Sequence, residues 1–241
     1  MNDPLRISPR GADRPQVPAS ASSYYQYAQR RIRCESAVCH CPARSQGGAS
    51  FVFVSEEPRF IYFAVPKCAT TTILHELFGG RHRIPPRDPQ GDPSEYLRFT
   101  FVRNPWERMV SNWRMFTTEP AARVQLRAMT ERELAELSSF EAFVDFAEQI
   151  KNHHWQPQTL FFPERPDFVG KLESFDRDFE RLCRLLGKTP ATAPRRRAGA
   201  STSPYWSHYT RELVDRVARM YAADIDTFGY EFAEPARQEG G

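Results

Sequence analysis

Three pieces of this chain carry residue types and spacings that could do chemistry, the first two by handling anions. Phe60-Ile-Tyr-Phe-Ala-Val-Pro-Lys-Cys-Ala-Thr-Thr-Thr-Ile-Leu-His-Glu-Leu-Phe-Gly-Gly80 places Lys67 and three threonines, Thr70, Thr71 and Thr72, between an apolar run and an amphipathic one. A helix starting there leaves its first N–H groups unpaired at the positive end of its dipole, which is where a phosphate gains most. The chain has only four lysines (Lys67, Lys151, Lys171 and Lys188) among 33 basic residues, so a lysine here selects a compact point charge over a planar fork. A second piece, Arg103-Asn-Pro-Trp, follows another apolar run and offers a guanidinium, with Ser111 further along. The third holds the neighbours His153 and His154 ahead of Trp155.

The elements needed to position these groups are legible. Phe51 to Val54 and Phe60 to Val65 read as strands around the polar turn Ser55-Glu-Glu-Pro58, and the second is apolar almost throughout, as in a strand covered on both faces. Ile73, Leu74, Leu77 and Phe78 form a helical stripe ending at Gly79-Gly80. Arg81 to Glu95 is loop-like, and Leu97 to Val102 is the next strand. Asn104 is then a good N-cap and Pro105 a favoured first helical residue, with Trp106, Met109, Val110 and Trp113 facing a core. At 100° per residue Ser111 lies about 140° from that stripe, on the side of Asn104. Arg103 and Ser111 can thus look out together at the carboxyl end of a sheet, where α/β folds bind ligands.

Further on, Ser138 to Glu141 reads as a capping box before a helix carrying Phe143, Val144, Ala147 and Ile150. Phe168 to Leu172 is a short strand, and Phe179, Leu182, Cys183 and Leu186 form a stripe stopped by Gly187 and Pro190. Thr210 caps a last helix with Leu213, Val214, Val217, Ala218 and Tyr221. Strand, loop, helix and strand in this order give an α/β fold.

Composition narrows the function classes. With 241 residues, 40% of them hydrophobic, the chain suits one globular body. Residues 1–48 are rich in Pro, Ser, Arg and Gly and read as a flexible extension, 49–235 as the folded domain and 236–241 as a flexible tail. A net charge of +3 does not call for nucleic acid. No apolar run approaches the roughly 20 residues of a membrane span, and Met1 to Arg6 has no apolar signal core. The expectation is a soluble, cytoplasmic protein, with peripheral membrane association left open. Five cysteines at uneven spacing do not make a disulfide scaffold. Cys34, Cys39, His40 and Cys41 raise a zinc reading, but Cys39 and Cys41 are too close for a knuckle, so reduced thiols are expected and no metal. Arg195-Arg-Arg197 suits an anionic partner or a solvated loop. Cys68 beside Lys67 suggests a nucleophile, but no His and Asn set accompanies it.

Gly-x-x-x-x-Gly-Lys-Ser/Thr is absent around Lys67, which argues against a nucleotide triphosphatase. Val65-Pro-Lys-Cys-Ala-Thr-Thr-Thr72 instead resembles the 5′-phosphosulfate loop of sulfotransferases that use 3′-phosphoadenosine 5′-phosphosulfate (PAPS), and Phe101-Val-Arg-Asn-Pro-Trp-Glu-Arg-Met-Val-Ser111 resembles their 3′-phosphate motif. The likeness is to the carbohydrate sulfotransferases, in the branch of bacterial and Golgi-type enzymes. It extends through His153-His-Trp-Gln-Pro157, Val169 to Asp178, and Tyr209 to Tyr230. It implies a P-loop-like three-layer αβα fold around a central, mainly parallel sheet. It also implies PAPS as co-substrate without a metal, and a carbohydrate or glycolipid acceptor. By the same resemblance Lys67 stabilises the leaving phosphate, the Cys68, Ala69, Thr70, Thr71 and Thr72 segment holds the phosphosulfate, and Arg103 and Ser111 hold the 3′-phosphate. Many relatives have Gly where Ala69 stands. For the general base, His154 and His82 compete, followed by His75, Glu76 and Asp88; Trp155 suits a ring-stacked sugar. The alternative is a non-catalytic anion or nucleic-acid binder that keeps the phosphate loops.

Overall fold

The structure, a computed structural model, describes residues 51–79, 88–118, 131–189 and 203–232. These fall into two compact units, one built from described residues 51–103 and 160–189, the other from 104–159 and 203–232. The Cys34, Cys39, His40 and Cys41 cluster, His82, Arg195 to Arg197, the 1–48 extension and the 236–241 tail lie outside the described residues.

The first unit is an α/β arrangement around a four-stranded sheet of order β1-β2-β3-β4, with β1 Val52–Glu56, β2 Arg59–Phe63, β3 Leu97–Val102 and β4 Phe168–Lys171. β1 and β2 pair antiparallel; β2, β3 and β4 run parallel. The mainly parallel sheet expected from the sequence is therefore present. Phe60, Ile61, Tyr62 and Phe63 are each fully buried, as an apolar run on a strand covered on both faces requires. β1 runs two residues further than its apolar content suggests, because Ser55 and Glu56 still pair with Phe60 and Arg59 while their side chains stay partly in solvent.

Helix α1, Thr70–Phe78, crosses from β2 back toward β3, burying Ile73 and Leu77 and ending on left-handed Gly79. Beyond β4, helix α5 (Phe175–Leu185) buries Phe175, Phe179, Leu182 and Cys183, and Phe175 and Phe179 stack at 5.2 Å. Phe101 lies against Phe175 at 5.3 Å, and a Cβ on Gly170 in β4 would meet its ring at 2.3 Å. Arg98, 7% exposed, fixes how the chain enters β4: Nη2 donates to Asp167 Oδ1 at 3.0 Å, Nε to Oδ2 at 3.1 Å, and Nη1 pairs with Glu164. Such a planar fork on a carboxylate sets geometry as well as charge.

The second unit is helical: α2 Pro105–Thr118, α3 Glu131–Glu136, α4 Phe140–Gln149, α6 Arg211–Met220 and α7 Ala222–Phe228, with a short 3-10 turn at Tyr205–His208. Three caps explain where its helices start. Asn104 Oδ1 accepts from the Trp106 and Glu107 amides, Ser139 Oγ from Ala142 at 3.1 Å, and Thr210 Oγ1 from Leu213 at 3.2 Å. The capping residue of α4 is thus Ser139 rather than Ser138, one residue later than the capping-box reading. Phe116, Phe143 and Trp155 form an aromatic centre with ring separations of 5.5 to 6.3 Å. Arg216 on α6 pairs with Asp145 and Glu148 on α4. No helix among the described residues is long and apolar enough to cross a membrane.

Candidate functional site

The loop from β2 to α1 takes an unusual backbone path. Lys67 (φ 68°) and Ala69 (φ 59°), neither of them glycine, are both left-handed. That conformation crowds Cβ against the following carbonyl, which is why glycine suits the Ala69 position. Alternating such residues turns successive N–H groups inward, as in anion-binding nests. Ala69 is the N-cap of α1 and supplies no side-chain acceptor, so the first-turn N–H groups of α1 are not capped by it as Ser139 and Thr210 cap theirs.

Several contacts hold this path. The Cys68 amide donates to the Val65 carbonyl at 3.3 Å and the Thr70 hydroxyl to the same carbonyl at 3.0 Å. The Tyr62 hydroxyl, raised above its ordinary pKa by burial, reaches Thr70 Oγ1 at 3.4 Å. Thr70 therefore spends its hydroxyl proton inside the loop. Cys68 is fully buried with Sγ directed to the Pro66 carbonyl at 3.7 Å, which is a packed thiol rather than a presented nucleophile. Thr71 is exposed, and Lys67 and Thr72 are half-buried.

Arg103 reaches the same loop. β2 and β3 are parallel neighbours in register Phe63↔Thr100, so their carboxyl ends open on one edge of the sheet. Buried Thr100 donates to the Phe63 carbonyl at 2.7 Å and locks the two strands there. Arg103, the residue after β3, places Nη1 3.5 Å from the Lys67 carbonyl. Two cations from separate motifs, a left-handed loop and a helix N-terminus are thereby assembled within the first unit. Such a set can bind and stabilise a polyanion.

In the second unit, Ser111 is half-buried on α2. His154 sits in a turn whose backbone is held from several sides. Its amide donates to Asn152 Oδ1 at 2.9 Å, and its carbonyl accepts from Arg108 Nη2 and Asn112 Nδ2, each at 2.9 Å. Arg108 Nη1 also donates to the Gln156 carbonyl at 2.8 Å, and the Tyr221 hydroxyl to the Trp155 carbonyl at 2.5 Å. The half-buried His154 ring lies edge-on to Phe116 at 5.2 Å and 4.0 Å from His153. Trp155 is 3% exposed, donates to the Ile150 carbonyl and packs among Phe116, Phe143 and Phe146. It is core, and the sugar-stacking role expected of it is overturned by burial. His75 is exposed beside Glu76, and Asp88 is exposed. Among the described residues no group of three or more His, Cys, Asp or Glu is placed to hold a metal.

Arg108 and Asn112 are the functional candidates that sequence reasoning missed. They lie about 200° and 240° round α2 from Trp106, where an amphipathic helix faces water. Both are fully buried, because this helix is covered on its polar side by the 152–156 turn. Their separation of one turn is the only trace of this in the sequence.

Comparison with known proteins finds a matching family model and similar relatives. The model of a family described as "Sulfotransferase family" matches residues 51–231. Carbohydrate sulfotransferase 11 of Rattus norvegicus is 26% identical over 234 residues, covering 73% of this chain and 66% of the relative. The protein of the same name from Mus musculus is 25% identical over the same shares. The chain thus spans just under two thirds of the length of these relatives. No solved structure matches.

Proposed function

The chain belongs to the sulfotransferase family, and from that premise we propose that it moves a sulfuryl group from PAPS to a hydroxyl of a carbohydrate, glycan or glycolipid, by in-line displacement. The observation that carries the reading is the meeting of the Lys67 loop and Arg103 at the carboxyl edge of two parallel strands. The donor has anionic groups at two separate positions, and the two motifs offer cations for both. The relatives' name, carbohydrate sulfotransferase, supports the acceptor class.

In this reading the backbone N–H groups from Cys68 to Thr72 hold the 5′-phosphosulfate. The Lys67 ammonium stabilises the charge that grows on the leaving phosphate as its bond to sulfur breaks. Arg103 and Ser111 hold the 3′-phosphate. A base, His154 or His82, takes the acceptor proton as the new sulfur–oxygen bond forms. The products are a sulfate ester and 3′-phosphoadenosine 5′-phosphate (PAP). Burial of Trp155 leaves the acceptor to other aromatic or polar contacts.

Calorimetry with PAP tests the donor half. A hydrogen bond to a charged group is worth about 1.5–3 kcal/mol, so Arg103→Ala should weaken PAP roughly 10- to 150-fold. Absence of binding, or binding indifferent to Arg103→Ala and Lys67→Ala, overturns the assignment. Transfer of labelled sulfate to a panel of desulfated polysaccharides and glycolipids tests the rest. PAP binding with no transfer to any acceptor would favour a non-catalytic binder.

A further inference from the structure

The most buried charge on α2 is spent on backbone. Arg108 is fully buried, and its two terminal nitrogens donate to the carbonyls of Gln156 and His154, while Asn112 four residues on donates to the same His154 carbonyl. Its guanidinium also lies 6.0 Å from the Tyr221 ring centre, and the Tyr221 hydroxyl holds the carbonyl of Trp155 between them. A buried guanidinium costs more than an apolar side chain of its size unless its charge is answered. Asp224, fully buried on α7, lies in the field of Arg108 and accepts hydrogen bonds from the Gln158 and Thr159 amides and the Thr159 hydroxyl. What a fork adds over an apolar residue is a fixed direction at two acceptors.

The consequence falls on one side chain. With its amide held by Asn152 and its carbonyl by two donors from α2, the His154 backbone is fixed, and its ring then has only its side-chain torsions to vary. Ser111 lies about 60° round the same helix from Arg108. We propose that Arg108 and Asn112 are positioning residues that fix the His154 imidazole relative to the helix bearing Ser111. A single rigid element would then set both the base and one 3′-phosphate contact. This rests on the reading of His154 as base and Ser111 as phosphate contact given above.

Asn112→Ala and Arg108→Lys, in the full chain labelled at histidine, test the assignment, with His154→Ala to identify the ring signals by NMR. Turnover is read as labelled sulfate released from PAPS to water or to the polysaccharide panel. In both variants the His154 ring signals should shift or broaden, PAP affinity should stay within about twofold, and kcat should fall at least about tenfold with KM for PAPS unchanged, the split expected when a transition-state group is misplaced. Wild-type His154 signals in folded Asn112→Ala overturn the proposal, as does unchanged kcat in both variants. Should Arg108→Lys fail to fold, Asn112→Ala decides alone. Wild-type turnover in His154→Ala would instead refute the base assignment, and the ring signals would still judge the positioning.

Discussion

The two ends of α1 allow the strain in the loop at Lys67 and Ala69 to be measured with an internal control. Ala69, its N-cap, has φ 59° and ψ 21°; Gly79, its C-cap, has φ 66° and ψ 37°. Both are left-handed, but only one is glycine. A residue with a Cβ loses roughly 1–2 kcal/mol there. Replacing alanine by glycine gives back about 0.4–1 kcal/mol through the freer unfolded chain. Ala69→Gly should therefore stabilise the protein by about 0.5–1 kcal/mol, a rise in Tm of roughly 1–4 °C for a domain of this size. Gly79→Ala should lower Tm by a similar amount, since a Cβ there meets nothing within 4 Å and strain is its main cost. Thermal unfolding followed by circular dichroism reads both. If Gly79→Ala destabilises while Ala69→Gly leaves Tm unchanged or lower, the loop is not left-handed at Ala69 in solution and the nest argument fails. Glycine also widens the ensemble the loop must leave on binding, so Ala69→Gly should bind PAP no more tightly than the wild type. A tighter complex would show that the Ala69 methyl obstructs the ligand.

Two more expectations follow from the packing. Gly170→Ala drives a Cβ into the Phe101 ring at 2.3 Å, and overpacking of this kind should cost about 1–3 kcal/mol in urea unfolding; a change under about 0.5 kcal/mol would mean that Phe101 has room to move. His208 accepts from Arg114 Nη2 at 2.9 Å between the Trp113 and Phe140 rings, and burial, then the Arg114 charge, hold its pKa below 6.5. The unfolded chain then binds the proton more readily, so this contribution is full above pH 6.5 and is lost as pH falls through the folded value. His208→Gln should flatten that part of the stability profile, and an unaltered slope would refute the contact.

The sheet was readable because its signals are one-dimensional. Phe60 to Phe63 is apolar at every position, and a strand of that kind can only be covered on both faces; Asn104 and Thr210 are caps whose side chains act on amides two or three residues away. The misreadings share a cause in tertiary burial. Ser138 and Ser139 are equally good caps in isolation, and packing of Phe140 into the core selects the second. Trp155 has the composition of a sugar platform, yet three phenylalanines surround it. The left-handed path at Lys67 and Ala69 was hidden because neither residue is one that normally announces it.

Arginine shows most clearly where sequence reasoning ends. Arg98, Arg103 and Arg108 lie within eleven residues, and nothing in their type separates them. Arg98 meets two carboxylates, so its charge is neutralised within the sheet. Arg108 meets carbonyls and is fully buried, so its fork serves direction. Arg103 is half-buried at a strand end, with Nη1 3.5 Å from the Lys67 carbonyl. The difference is environmental: a guanidinium can serve a soluble anion only where solvent can reach it and no carboxylate has neutralised it. Arg98→Ala and Arg108→Ala should therefore act on stability or on the His154 turn before they act on donor affinity.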